Sequence, residues 1–418
     1  MKNPINFTSS KGGLNRIVKY CNREGINTYG FDANKPNTLN EYNTLNEYNT
    51  LDTTVNTFHI LETLDEDLDF DFENNNKQSL FAKAIRYPYV PKQIIKAYNV
   101  PVIKNLLNIK RVTIAIIIAY HNPRLKTDMD YFSSRFNLPK CNLRIYNLGR
   151  NTFNSNWAVE STLDVQWSFA MNPNANFILV EARSNNFNDM AAAIKFANKL
   201  NPDIVSMSWG QHDLGNLPSW KNICNNKNTC YLAASGDSNI LGFPSVTPNV
   251  MSIGGTSLIL DNNNTILLEK PWSLSGSGFS KSFSKPNYQP ILSSNNSNKR
   301  MGPDICSIGD PKTGVLIVAN KKPYRIGGTS LASPVIAGMI SLAIQNRLNN
   351  KKSPLTTIPN LSNSIQPLLY NNSIYNECFN DIITGSSGTN TATNGFDLAT
   401  GLGSINCGNL IKNLQNYP

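Results

Sequence analysis

An α/β fold with a mostly parallel central sheet is predicted by three features of the chain. Short runs of β-branched and apolar residues recur along it, helix-period segments lie between them, and a glycine-rich turn feeds a long apolar segment near residue 330. In chain order, RVTIAIIIAY (111–120) is a continuous apolar run, the pattern of a strand covered on both faces. NANFILVEA (174–182), PDIVSMSWG (202–210) and CYLAASGDS (230–238) read the same way. WAVESTLDVQWSFAM (157–171) and NDMAAAIKFANKL (188–200) have helical period and fall between successive strands. Strands alternating with helices imply right-handed crossovers, with the working site beyond the carboxyl ends of the strands. That rule singles out Tyr120-His121, Trp209-Gly210 and Gly236-Asp237.

The chain divides into two parts by texture. Residues 1–85 are Asn-rich and of low complexity: the hexad TLNEYN repeats in tandem within 38–51, and an acidic stretch runs from Glu62 to Glu73. Such sequence buries too little surface to offset its ordering entropy. It is expected to be a poorly ordered extension with a short helix near 11–22. Residues 86–418 are expected to form one catalytic domain. The formal charge of +10 is spread along the chain, without a basic helix or an aromatic-interleaved patch, so no specific nucleic-acid partner is expected. No run of about 18 apolar residues is present, so no membrane span is expected. No apolar leader follows Met1. The seven cysteines include no CxxC pair; Cys224 with Cys230 and Cys378 with Cys407 are conceivable bridges, but reduced thiols are the expectation.

Gly-Gly-Thr-Ser occurs twice, at 254–257 and 327–330. The first copy runs on as a strand and turn. The second runs into LASPVIAGMISLAIQNRL, apolar on nearly every side, as in a helix at the centre of a domain. Ser330 therefore enters a buried helix N-terminus, where free N–H groups and the helix dipole favour developing negative charge. It is either a plain capping serine or a nucleophile. Pro334 is expected in the first turn of that helix.

A nucleophilic serine needs a base. Of the three histidines, His59 lies in the extension, while His121 and His212 follow strand ends and read best as loop residues. Glu160 and Asp164 offer a replacement: four residues apart, they share one helix face among Trp157, Val159, Leu163, Val165 and Trp167. Two carboxyls held together in apolar surroundings keep a proton to higher pH than either alone. Asp237, in AASGDSNI, is either a turn aspartate or, if protonated, a donor to an oxyanion.

Taken together, Glu160-xxx-Asp164, SMSWG (206–210), ASGDS (234–238), FPSVTPNVMSIGGTS (243–257) and GGTSLASP (327–334) resemble the sedolisins, the serine-carboxyl peptidases. The resemblance runs in order from about Tyr87 to Asn406 and includes SGSGFSKSFSKPNYQP (275–290) and GPDICSIGDPKTG (302–314). It implies a subtilisin-like fold, with Ser330 as nucleophile, Glu160 as general base, Asp164 as its support and Asp237 as the oxyanion-hole acid. It implies cleavage of peptide bonds in acid, as an endopeptidase or a tripeptidyl peptidase acting as a monomer on peptides or unfolded proteins. It also implies one structural calcium, held by Asp381 and Asp397 carboxylates and the carbonyls of Ile382, Thr393 and Gly395. Thr393 stands where the family often has glycine. Family members carry a large folded prodomain, and residues 1–85 look too polar to make one.

Three other readings stay open at the sequence level. One is an ordinary subtilisin-type enzyme with His121 or His212 as base. Another is an inactive relative serving as a structural or binding protein. The last is weak, salt-dependent nucleic-acid binding through the positive charge.

Overall fold

A computed structural model describes residues 54–57, 60–63, 88–102, 110–215, 220–290, 292, 298–415 and 417. Eight parallel strands make its centre: β1 (Thr113–Ala119), β2 (Asn142–Asn147), β3 (Asn176–Ala182), β4 (Ile204–Met207), β5 (Cys230–Ala234), β6 (Val250–Leu260), β7 (Ile305–Ile308) and β8 (Ser404–Ile405). Their order across the sheet is β8-β7-β6-β5-β4-β1-β3-β2. Antiparallel additions are Phe379–Asn380 beside β8 and Ile266–Pro271 beside β6. The sequence direction reverses around β1, and the crevice at such a reversal is where open α/β sheets place their sites. The predicted runs lie on β1, β3, β4 and β5, buried along nearly their whole length because helices cover both faces.

The helices that matter are α1 (Pro91–Ala97), α2 (Leu125–Arg135), α3 (Ser155–Met171), α4 (Phe187–Lys199) and α5 (Thr329–Asn349). Asn154 starts α3 by accepting from the Trp157 N–H at 3.2 Å, and Asn186 starts α4 by accepting from the Asp189 N–H at 2.9 Å. α3 and α5 are buried from Trp157 and Thr329 onward along nearly their whole length, and they pack on each other. Gly338 makes that approach possible. A Cβ there would lie 2.4 Å from the Met171 Cβ and 2.7 Å from the Ser168 carbonyl oxygen.

Pro334 corrects the expectation drawn from sequence. It stands inside α5, beyond the first turn, so it cannot supply the N–H that would bond the Ser330 carbonyl four residues back. Eight of the eleven described non-glycine residues at positive φ are Asn, the residue after glycine best suited to left-handed turns.

The extension is likewise not uniformly without structure. Asn56–Thr57 and Ile60–Thr63 are strands of the domain, and Val55 is fully buried in its core. The predicted helix at 11–22, the tandem hexads and His59 lie outside the described residues. The six described cysteines are free thiols. Among the described residues no helix is long and apolar enough to cross a membrane.

Candidate active site

Ser330 is the second residue of α5, reached through Gly328. Gly328 has φ +122°, a backbone region that side chains rarely tolerate, so glycine is required at the turn into the helix. The hydroxyl of Ser330 is fully buried and donates to the carbonyl oxygen of Ser208 at 2.8 Å, where β4 ends. It also lies in hydrogen-bonding reach of the Glu160 carboxyl. One hydroxyl proton serves one acceptor at a time. With Glu160 protonated, the Glu160 O–H is the donor to Ser330; with Glu160 ionised, Ser330 can turn its proton to the carboxylate.

Glu160 and Asp164 project from the same face of α3, both fully buried. Burial pushes the Glu160 carboxyl well above the usual carboxylate range; the Ser330 hydrogen bond opposes this and the nearby Asp237 charge adds to it. Asp164 is raised likewise, by burial first and by the charge of Glu160, with the Ser208 hydroxyl opposing. Asp237 sits in the turn after β5. Its Oδ1 accepts from the backbone N–H and the hydroxyl of Thr329, each at 2.8 Å, beside Ser330. Thr329 in turn accepts from the Gly236 N–H at 3.1 Å, tying the two turns together. The four predicted residues are thus one cluster.

The two described histidines have other partners. His121 Nδ1 is 2.7 Å from Glu181, a fully buried carboxylate that also accepts from the Asn122 N–H at 3.0 Å. His212 Nε2 is 2.6 Å from the Ser238 hydroxyl, and burial holds its ring below the ordinary histidine range. Tyr120, at the end of β1, has φ +63°, a strained position of the kind found where backbones are held for function. Its hydroxyl donates to Asn185 Oδ1 at 3.0 Å.

Sequence reasoning gave no role to Ser208, Thr329 or Asn185. Ser208 and Thr329 sit inside quoted motifs, SMSWG and GGTS, and could have been found as the neighbours of predicted site residues. Asn185 carries no local signal, because its importance comes from what pairs with it.

The two carboxylates expected at a calcium loop both accept from backbone N–H groups of the 393–395 segment. Asp381 Oδ2 accepts from the Gly395 N–H at 2.8 Å, and Asp397 Oδ2 from the Thr393 N–H at 3.0 Å. Gly395 has φ +83°, whereas Thr393 is not among the residues at positive φ, so threonine is compatible with the backbone there. Asp381 Oδ1 is buried. Two carboxylates and neighbouring carbonyls make an all-oxygen donor set of the type a hard cation requires, and the residues fit calcium on that ground.

Residues 150–403 match the model of the subtilase family. Tripeptidyl-peptidase 1 of Dictyostelium discoideum is 28% identical over 328 residues, covering 68% of this chain and 52% of that protein. Sedolisin of a Pseudomonas species is 28% identical over 197 residues, covering 45% of this chain and 32% of that protein. Kumamolisin of a Bacillus species is 27% identical over 283 residues, covering 59% and 49%. The chain thus spans about half the length, or less, of these curated relatives. Among solved structures, Pseudomonas sedolisin in complex with pseudo-iodotyrostatin superposes with a TM-score of 0.67 at 21% identity, over 78% of this chain and 97% of that one. That likeness bears on the fold, which agrees with the sheet described above.

Proposed function

Because the chain belongs to the subtilase family, and within it to the sedolisins, we propose that it is a serine-carboxyl peptidase working in acid through an acyl-enzyme. The observation that carries the reading is the Ser330 hydroxyl at the N-terminus of α5, in reach of a buried carboxyl, while the two described histidines bond Glu181 and Ser238. Glu160 takes the proton of Ser330 as Oγ attacks the scissile carbonyl. Asp237, protonated, donates to the oxyanion together with N–H groups at the helix start. The C–N bond breaks, the amine leaves with the proton from Glu160, and water then hydrolyses the ester with Glu160 again as base. Asp164 orients Glu160 and shares its protons.

The acid optimum follows from the protonation states this scheme demands. Asp237 must hold a proton while Glu160 gives one up. The charge of Asp237 is one cause of the elevated Glu160; once Asp237 is protonated that cause is gone, and Glu160 ionises at lower pH. The scheme needs Asp237 neutral where the oxyanion forms, because a second anion at that place would oppose the developing charge. The substrate is a peptide or an unfolded protein, bound by a monomer. Asp381 and Asp397, with the carbonyls of Ile382, Thr393 and Gly395, would hold a calcium ion. Bound there, it would brace the loop and neutralise two carboxylates.

The test is cleavage of an unfolded protein from pH 3 to pH 8 by the wild type beside Ser330→Ala. Serine-dependent cleavage restricted to the acid side is expected. Activity centred at neutral pH and lost on changing His121 or His212 would replace this scheme with the ordinary triad.

A further inference from the structure

Glu160 can act as base only while α3 holds it at Ser330, and the first turns of α3 do little to hold themselves. Ser161 and Thr162 each donate a hydroxyl to the Ala158 carbonyl at 2.8 Å, and side-chain bonds of this kind slightly destabilise and bend a helix. Glu160 and Asp164, four residues apart, repel once ionised. The restraint comes from outside the helix, from Asn122, just beyond the end of β1. Its Nδ2 donates to the Ala158 carbonyl at 2.9 Å, the Ser161 hydroxyl at 2.8 Å and the Thr162 hydroxyl at 3.1 Å. Two N–H groups serve these three acceptors, so at least one is shared. At about 100° per residue, Ala158, Ser161 and Thr162 lie on another side of α3 from Glu160 and Asp164. A grip there opposes rolling of the helix, the motion that would swing Glu160 away from Ser330.

Asn122 is buried and is itself fastened on two sides. Its Oδ1 accepts from the Arg124 N–H at 3.1 Å, which leaves Nδ2 to face α3. Its N–H donates to Glu181 Oε1 at 3.0 Å, and the other oxygen of that carboxyl is 2.7 Å from His121 Nδ1. Glu181 is fully buried near the end of β3, the strand beside β1. Main-chain bonds hold the segment that joins them. The Tyr120 N–H donates to the Ala182 carbonyl at 3.0 Å, and the His121 N–H to the Thr152 carbonyl at 2.8 Å. A buried carboxyl is costly to desolvate, and more so if its partners are lost. The partners of the Glu181 carboxyl are His121 and Asn122, both outside the cluster around Ser330.

From this chain of contacts we infer that Asn122 and Glu181 are positioning residues for the reaction: Glu181 fixes Asn122, and Asn122 fixes the roll of α3 and so the aim of the Glu160 carboxyl at Ser330. The inference rests on the peptidase reading and adds to it the part that aims the base. Neither residue exchanges a proton with the peptide. Their effect reaches the reaction only through where Glu160 stands.

The contacts can be cut at either end. Asn122→Ala removes all three bonds to α3 and keeps the main-chain bond to Glu181. Glu181→Leu keeps the bulk of the side chain and removes the acceptor that holds Asn122. Glu181→Gln keeps an oxygen for the Asn122 N–H, and His121 can present Nδ1 as an acceptor to the new amide by changing tautomer. Ser161→Ala together with Thr162→Ala reaches the same contacts from the helix side. That pair raises the helix propensity of α3 while taking two of its three handles from Asn122.

The test is steady-state hydrolysis of a quenched-fluorescent casein in acid by the full chain and these variants, each assayed well below its melting temperature. Asn122→Ala and Glu181→Leu should each lose about 10- to 100-fold in kcat, the scale of a displacement of about 1 Å at the base, with KM little changed. Glu181→Gln should restore most of that loss. The Ser161→Ala, Thr162→Ala pair should also lower kcat, and it keeps the test open if Asn122→Ala or Glu181→Leu does not fold. A merely structural role is separated by repeating Asn122→Ala in the Glu160→Gln background. With no base left to aim, the second substitution should cost less than about twofold of the residual rate, because groups that act as a unit do not add. Equal losses in both backgrounds would overturn the inference. So would a change confined to KM, or an Asn122→Ala enzyme as fast as the wild type, and either result would leave the peptidase reading standing. Absence of Ser330-dependent hydrolysis by the wild type would take both readings down.

Discussion

Replacing Glu160 with Gln should have two effects of opposite sign. Glutamine keeps the size of the side chain but cannot take the Ser330 proton. Losing a positioned base of this kind costs on the order of 10⁴-fold in kcat, or about 5 kcal/mol of barrier. Stability should move the other way. Glu160 is fully buried and its carboxyl titrates above the usual range, so the folded state holds this proton more tightly than the unfolded chain does. Its contribution to stability is fully present below the unfolded carboxyl range. It is lost as pH rises through the folded value, when a charge must form inside the protein. Glutamine never ionises, so the variant escapes that loss. In acid the two proteins should melt at similar temperatures, and towards neutral pH the variant should melt higher. Paired measurements of kcat/KM in acid and of Tm from pH 4 to pH 8 check both halves. Activity within tenfold of wild type would refute Glu160 as base. A Tm that falls with pH as steeply in the variant as in the wild type would refute the burial argument.

Asp237→Asn keeps a hydrogen-bond donor that no longer depends on a proton, so the alkaline limb of the pH–rate profile should move up while the acid limb stays; an unmoved alkaline limb would place its origin elsewhere. Gly338→Ala drives a methyl into Met171 and the Ser168 carbonyl, and should destabilise by about 1–3 kcal/mol with loss of activity, read from urea unfolding and from kcat. Chelator should lower Tm, and added calcium should restore it; an unchanged melt would count against Asp381 and Asp397 as a calcium site. Ser330→Ala should abolish hydrolysis, and because it takes a partner from both the Ser208 carbonyl and the buried Glu160 carboxyl it should also lower Tm modestly, read by thermal melting beside the wild type.

Much of the centre was legible because its signals are local. Runs such as TIAIIIA can only be strands covered on both faces, and the spacing of Glu160 and Asp164 places them on one side of a helix whatever surrounds it. The glycines before Ser330 point to a turn that needs them. What stayed hidden depends on partners far along the chain. Thr54–Thr57 has no strand periodicity to speak of, and its pairing with Trp209–Gly210 and Asn185–Asn186 exists only once β3 and β4 have brought those residues to one rim. Composition alone marked the first 85 residues as featureless, and composition averages away a ten-residue segment. Pro334 was misplaced for a simpler reason. The turn before α5 ends at Gly328, so the helix begins at Thr329 and the proline falls past its first turn.

The seam between α3 and α5 has a consequence for how this protein can change. Glu160 and Ser330 ride on two buried helices whose spacing is fixed where Gly338 meets Met171, deep in the interior. The rim that grips the extended chain is made instead of strand ends and loops around Asn185 and Trp209. The paired carboxyl and hydroxyl and the grip on residues 54–57 are thus mounted on separate parts. Substitutions at the rim can therefore alter what is held there without moving the two helices that carry Glu160 and Ser330.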